Sequence, residues 1–183
     1  RFPTWWMSLV GRVRCGLERD EFDTDLASML ARAEHYEAPA DIITELRTRL
    51  LRKSGKIDEL CAMELPAALK GKRVSIPLPE LLRYTWIRGR LGDSVQLVQV
   101  MRADGTVDAG ALRLGAEAAL LTKNGLAADA ILPHFLSLHP DRVLMVRYIR
   151  DLRRRRKGEA ATLWTQKWAQ LVRATLPARY HNP

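Results

Sequence analysis

The residues predict a mixed α+β chain, and three observations predict it. Up to Lys53 the apolar residues recur at helical spacing. Lys53-Ser54-Gly55-Lys56 reads as a turn, and beyond it both period and composition change. Two valine-containing segments after that turn, Val74–Leu78 and Ser94–Met101, read as strands among further helices.

The first quarter packs most simply as three helices over residues 1–53. Phe2, Trp5, Trp6, Leu9, Val10 and Val13 form the first stripe, which Cys15-Gly16 is expected to interrupt. Asp23 or Thr24 can cap the second helix, whose stripe is Leu26, Met29, Leu30 and Ala33. Ala38-Pro39 breaks it, since a residue before proline avoids the helical region. Pro39 then suits the start of a third helix, which turns Ile42, Ile43, Leu46 and Leu50 inward. Its far end carries Arg47, Arg49, Arg52 and Lys53, where cations complement the helix dipole.

In the second part, Val74-Ser75-Ile76-Pro77-Leu78 alternates like an edge strand ended by Pro77. Leu81, Leu82, Thr85 and Trp86 read as a helix stopping near Gly89 or Gly92. Ser94–Met101 is the strongest strand candidate, closed by the Asp104-Gly105 turn. Leu112–Leu121 reads as helix, and Ala130–Phe135 as a short strand. Asp141–Arg153 and Glu159–Leu176 read as helices, the last ended by Pro177. No internal repeat is legible in the residues.

The balance of charge restricts the partners. Thirty Lys and Arg stand against 21 Asp and Glu, a formal net charge of +9. Such a surface is drawn to polyanions because neutralising phosphates releases condensed counterions. No apolar run approaches the ~20 residues that span a bilayer. Cys15 and Cys61 stand far apart without metal-ligand spacing, which points to a reducing compartment. The chain opens at Arg1 without an initiator methionine, so a removed leader is compatible with it.

No phosphate loop, dinucleotide-binding glycine pattern or nucleophile elbow is present, and the expectation is a non-catalytic protein without cofactor or metal. His35, His134, His139 and His181 read as ordinary surface or packing histidines. The strongest local feature is the run Arg153, Arg154, Arg155, Arg156 and Lys157, whose mutual repulsion a polyanion would relieve. Arg47, Arg49, Arg52, Lys53 and Lys56 form a second candidate group for nucleic acid, and Lys72 and Arg73 a third. Beside that third group stand Lys70, Arg83, Arg88 and Arg90. Most of the five tryptophans fit packing beside leucines better than stacking on bases.

A resemblance adds to this reading. Phe2, Trp5, Leu9 and Gly16, then Leu26, Met29, Leu30 and Ala33, then Ala38, Pro39, Asp41 and Ile43, stand at intervals similar to the N-terminal helical segment of the YebC family. Leu91-Gly92-Asp93-Ser94-Val95 through Val107 resembles that family's strand and turn, Gly115-Ala116-Glu117 its GAED segment, and Tyr180-His181-Asn182 its closing residues. The family includes the mitochondrial translational activator of cytochrome c oxidase subunit I. The resemblance implies a helical domain over residues 1–53, a split-sheet α+β domain over 54–107 plus 159–183, and an inserted α+β domain over 108–158. It also implies a ribosome-associated protein of mitochondrial translation, meeting ribosomal RNA, ribosomal proteins or mRNA in the mitochondrial matrix. A double-stranded DNA-binding regulator in a bacterial cytoplasm and a structural subunit of another organellar complex are the alternatives.

Overall fold

A computed structural model describes residues 5–20 and 24–175. Among these residues ten α-helices and no strand are present. They are α1 (Trp5–Glu18), α2 (Thr24–His35), α3 (Ala40–Lys53), α4 (Ile57–Ala68), α5 (Leu78–Ile87), α6 (Leu91–Ala103), α7 (Ala109–Leu121), α8 (Gly125–Leu138), α9 (Arg142–Arg154) and α10 (Gly158–Thr175).

The expected α+β class is therefore overturned, and neither sheet domain implied by the family resemblance forms among the described residues. Each misread segment has a physical reason. Ser94–Met101 lies inside α6, which buries Ser94, Val95, Leu97, Val98 and Met101. Those positions follow the helical period, and contacts with both α5 and α7 outweigh the β preference of three valines. Ala130–Phe135 lies inside α8, whose Pro133 is accommodated within the helix. Val74–Pro77 is a loop leading into α5, which starts at Leu78, and the loop is held by the buried Glu64 carboxylate. That carboxylate accepts from the backbone of Ser75 (2.7 Å) and Ile76 (2.9 Å) and from the Ser75 hydroxyl. Cys15-Gly16 does not interrupt α1. Gly16 is buried against Leu26, so close that a Cβ would stand 2.8 Å from its Cδ2. Phe2, Asp23 and residues 176–183, including Pro177 and the closing Tyr180-His181-Asn182, lie outside the described residues.

The chain divides into two compact units, residues 1–67 with 73–76 and residues 68–72 with 77–183. In the first, α1, α2 and α3 enclose a core of Val10, Val13, Leu17, Leu26, Leu30, Ala33, Ile43, Leu46 and Leu50, which adds Leu17 to the expected stripes, while Trp5 of the first stripe is exposed. In the second, α5 with α6, α7 with α8 and α9 with α10 form three helical hairpins. Their first helices pack on one another, α5 on α7 and α7 on α9.

The backbone repeats although the residues do not. Left-handed residues end α1, α3, α5, α7 and α9 at Asp20, Gly55, Gly89, Lys123 and Arg156. A second series at Glu37, Gly71 and Gly105 ends α2, α4 and α6. Both recur about every 34 residues, the length of a helix–turn–helix repeat unit. After α3, α5, α7 and α9 the same hydrogen bond closes the turn: Lys56 N–H to Leu51, Arg90 to Thr85, Asn124 to Ala119 and Lys157 to Leu152, all 2.8–2.9 Å. This is the six-to-one bond of a Schellman cap. Asp108 and Asp141 cap α7 and α9 by accepting from backbone N–H groups of the first turn. A repeat kept by turn conformation and capping leaves little identity for a sequence comparison to find.

Candidate nucleic-acid interface

The run Arg153–Lys157 does not form one surface. It spans the end of α9 and the turn into α10, so successive side chains leave in different directions. Arg155 turns inward. Its guanidinium donates to both Asp129 oxygens (2.7 and 2.8 Å), to Asp151 (2.7 Å) and to the Gly125 carbonyl (3.2 Å). Lys157 donates to Asp129 (2.6 Å), Arg154 pairs with Asp151, and Arg153 reaches the Thr165 hydroxyl at 3.4 Å. Tyr148 also donates to Asp129, at 2.9 Å.

The Asp129 carboxyl is held well below the ordinary carboxylate range, chiefly by its hydrogen bonds from Arg155, with Lys157 and Tyr148 adding to the effect against the cost of burial. Burial first, and then Asp129, push the Tyr148 hydroxyl above its ordinary value. The network braces α8, α9 and the α9–α10 turn. Of the five cations, Arg156 is the one exposed without a protein partner.

The second group is also engaged within its own unit. Arg47 pairs with Glu34 at 2.7 Å, Arg49 with Glu45 at 3.8 Å and Lys56 with Glu59 at 3.6 Å. Lys53 donates to Asp20 and to the Leu17 carbonyl, both at 2.6 Å, and Arg52 to the Ser75 carbonyl at 3.1 Å. Lys72 and Arg73 are exposed in the turn before α5, with no carboxylate within ion-pair distance among the described residues.

The structure brings together a different set of cations. Between α5 and α7 runs an open cleft of about 470 Å³, with Arg83 and Trp86 on one wall and Arg113, Leu114 and Glu117 on the other. One hairpin further on, between α7 and α9, lies a cleft of about 250 Å³. Leu120 and Leu121 form one side of it, and Arg147, Arg150 and Arg154 line the other above Asp151. Arg83, Arg147 and Arg150 are exposed, and none has a carboxylate partner among the described residues.

Helix geometry explains the second wall. Along α9, Leu144, Met145, Tyr148, Ile149 and Leu152 are buried. Arg147, Arg150 and Arg154 follow at three- and four-residue spacing beside that stripe, so they share one face. The repeat explains why the two clefts correspond. Counting back six residues from each left-handed turn residue gives Arg14, Arg49, Arg83, Glu117 and Arg150. Four of five equivalent positions are arginine, and in the second unit two of them, Arg83 and Arg150, line successive clefts.

Sequence reasoning missed Arg147 and Arg150. The signal was their spacing outside the apolar stripe of α9, which the neighbouring run of five cations obscured. It assigned packing to most of the tryptophans without singling out Trp86, which the structure leaves half-buried at the edge of the first cleft.

Among the described residues no group of three or more His, Cys, Asp and Glu side chains is placed to hold a metal ion. His139 lies beside Phe135, with ring centroids 5.5 Å apart, while His35 and His134 are exposed and His181 lies outside the described residues. No described helix is long and apolar enough to cross a membrane. No family model matches this chain, and neither a curated protein nor a solved structure shows significant similarity to it.

Proposed function

We propose that this chain is a non-catalytic RNA-binding protein that meets RNA on the face built by α5, α7 and α9. The observation that carries the reading is the line of exposed arginines, Arg83, Arg147 and Arg150, left without carboxylate partners beside two parallel clefts. Guanidinium groups held on rigid helices suit phosphate recognition, because they are planar, permanently charged and weakly hydrated. The net charge of +9 supplies the long-range attraction. Helical-hairpin arrays present extended surfaces of this kind.

The partner proposed is ribosomal RNA in mitochondria, with the protein acting as a translation factor or ribosomal component. Its support is the basic balance of the chain. It draws nothing from the sheet domains of the YebC resemblance, whose described residues form helices and turns.

Crosslinking in mitochondria followed by sequencing, with sedimentation across a salt series, tests the proposal. Ribosomal RNA reads and salt-sensitive co-sedimentation are expected, and both should fall when Arg83, Arg147 and Arg150 become glutamine. Reads dominated by promoter DNA, or no association with ribosomal particles at low salt, would remove it.

A further inference from the structure

Resting on that RNA-binding reading, we propose that the α7–α9 cleft is a site for one unpaired nucleotide, with its phosphate on Arg147 and Arg150 and its base over Leu121. The cleft has two chemically different walls. One is cationic: Arg147 and Arg150 have no carboxylate partner among the described residues, and Arg154 leans to Asp151, whose charge is already shared with Arg155. The other is apolar, and Leu121 is 57% exposed although it sits beside buried Ala118 and Ala119. Lining one cleft together, the exposed leucine and the solvated arginines are complementary to a nucleotide, which has an anionic part and an apolar face in one residue.

The dimensions select the form of the strand. Packed neighbouring helices lie about 8–10 Å apart, so the depression between them admits one strand. A duplex exposes phosphates and ribose and keeps its base faces stacked inside, leaving Leu121 uncovered. In the cleft between α5 and α7, Arg83 and the half-buried Trp86 share one wall and Glu117 holds the position equivalent to Arg150, so the one-nucleotide site is assigned to the α7–α9 cleft alone.

The test is fluorescence anisotropy of the whole chain with three labelled probes: a single-stranded RNA, the same sequence as a duplex, and an abasic strand of equal charge. Leu121→Ser is expected to weaken single-strand binding about tenfold, the loss of one partly covered leucine, and to leave the abasic strand and duplex unchanged. Arg147→Gln with Arg150→Gln should weaken all three and lower the single-strand salt slope by about 0.7, the share of one phosphate. Leu121 is a surface residue, and circular dichroism checks that its variant folds. Equal wild-type affinity for single strand and duplex, or no effect of Leu121→Ser on the single strand, would overturn the one-nucleotide site while RNA binding stands. Failure of the wild type to bind any probe would sink the functional reading as well. Selective binding of an acidic leucine-containing peptide instead would replace both with protein docking.

Discussion

Two groups of arginines lie within a few residues of each other on α9 and its turn, and they do opposite work. Arg153 to Lys157 are consecutive, and adjacency disperses them around a helix end. Arg155 is only 19% exposed and locks onto Asp129 and Asp151. Arg147 and Arg150 are separated by the buried Tyr148 and Ile149, and that interruption aligns them on one cleft. Density of charge along a chain is therefore a poor guide to density of charge on a surface. The period of the charges relative to the helix decides which cations stay available.

If the run is structural, breaking its centre should have the largest effect on stability. Arg155→Ala leaves Asp129 and Asp151 short of a partner at a mostly buried site, and is expected to cost about 3 kcal/mol in chemical denaturation. Acid should act on the same brace. Asp129 titrates in the folded chain below its ordinary range, so its contribution is complete above about pH 5 and fades as pH falls through the acid range toward the folded value. Asp129→Asn should therefore be less stable than the native chain at neutral pH, and the difference should shrink with acidification. A gap that stays constant down to about pH 2 would contradict that role.

A smaller effect is expected at Gly125. A Cβ there would stand 2.7 Å from Arg155 Cδ, and Arg155 is pinned rather than free to swing. Gly125→Ala should cost about 1 kcal/mol and lower the melting temperature. The smallest stability change belongs to the other group. Arg147→Gln and Arg150→Gln should each stay within about 0.5 kcal/mol of the native chain, because neither has a protein partner to lose.

Much of the helical content was legible before any coordinates. The stripes Leu26–Met29–Leu30–Ala33 and Ile42–Ile43–Leu46–Leu50 fall where α2 and α3 turn inward, and the expected helices around Leu81–Trp86, Leu112–Leu121 and Asp141–Arg153 correspond to α5, α7 and α9. The failures share a cause. Composition outweighed spacing in both: α6 buries Ser94, Val95, Leu97, Val98 and Met101 at helical period, but its three valines favour a strand reading, and Ala130–Phe135 of α8 is a short, mostly apolar run that periodicity alone does not assign. The repeat was hidden because its conserved feature is a dihedral angle: glycine, lysine and arginine all supply the left-handed residue, at Gly89, Lys123 and Arg156. Of the candidate cations, Lys72 and Arg73 stay exposed as read, and most of the others serve turns and neighbouring carboxylates.

The most direct test sets the two groups against each other in one assay. Single-stranded RNA binding is measured across a salt series for Arg147→Gln with Arg150→Gln and, separately, for Arg153→Gln with Arg156→Gln, variants equal in charge. The account predicts a lower salt slope and weaker affinity for the first pair, and a clearly smaller change for the second. Equal losses from both pairs, or a larger loss from Arg153 and Arg156, would contradict it.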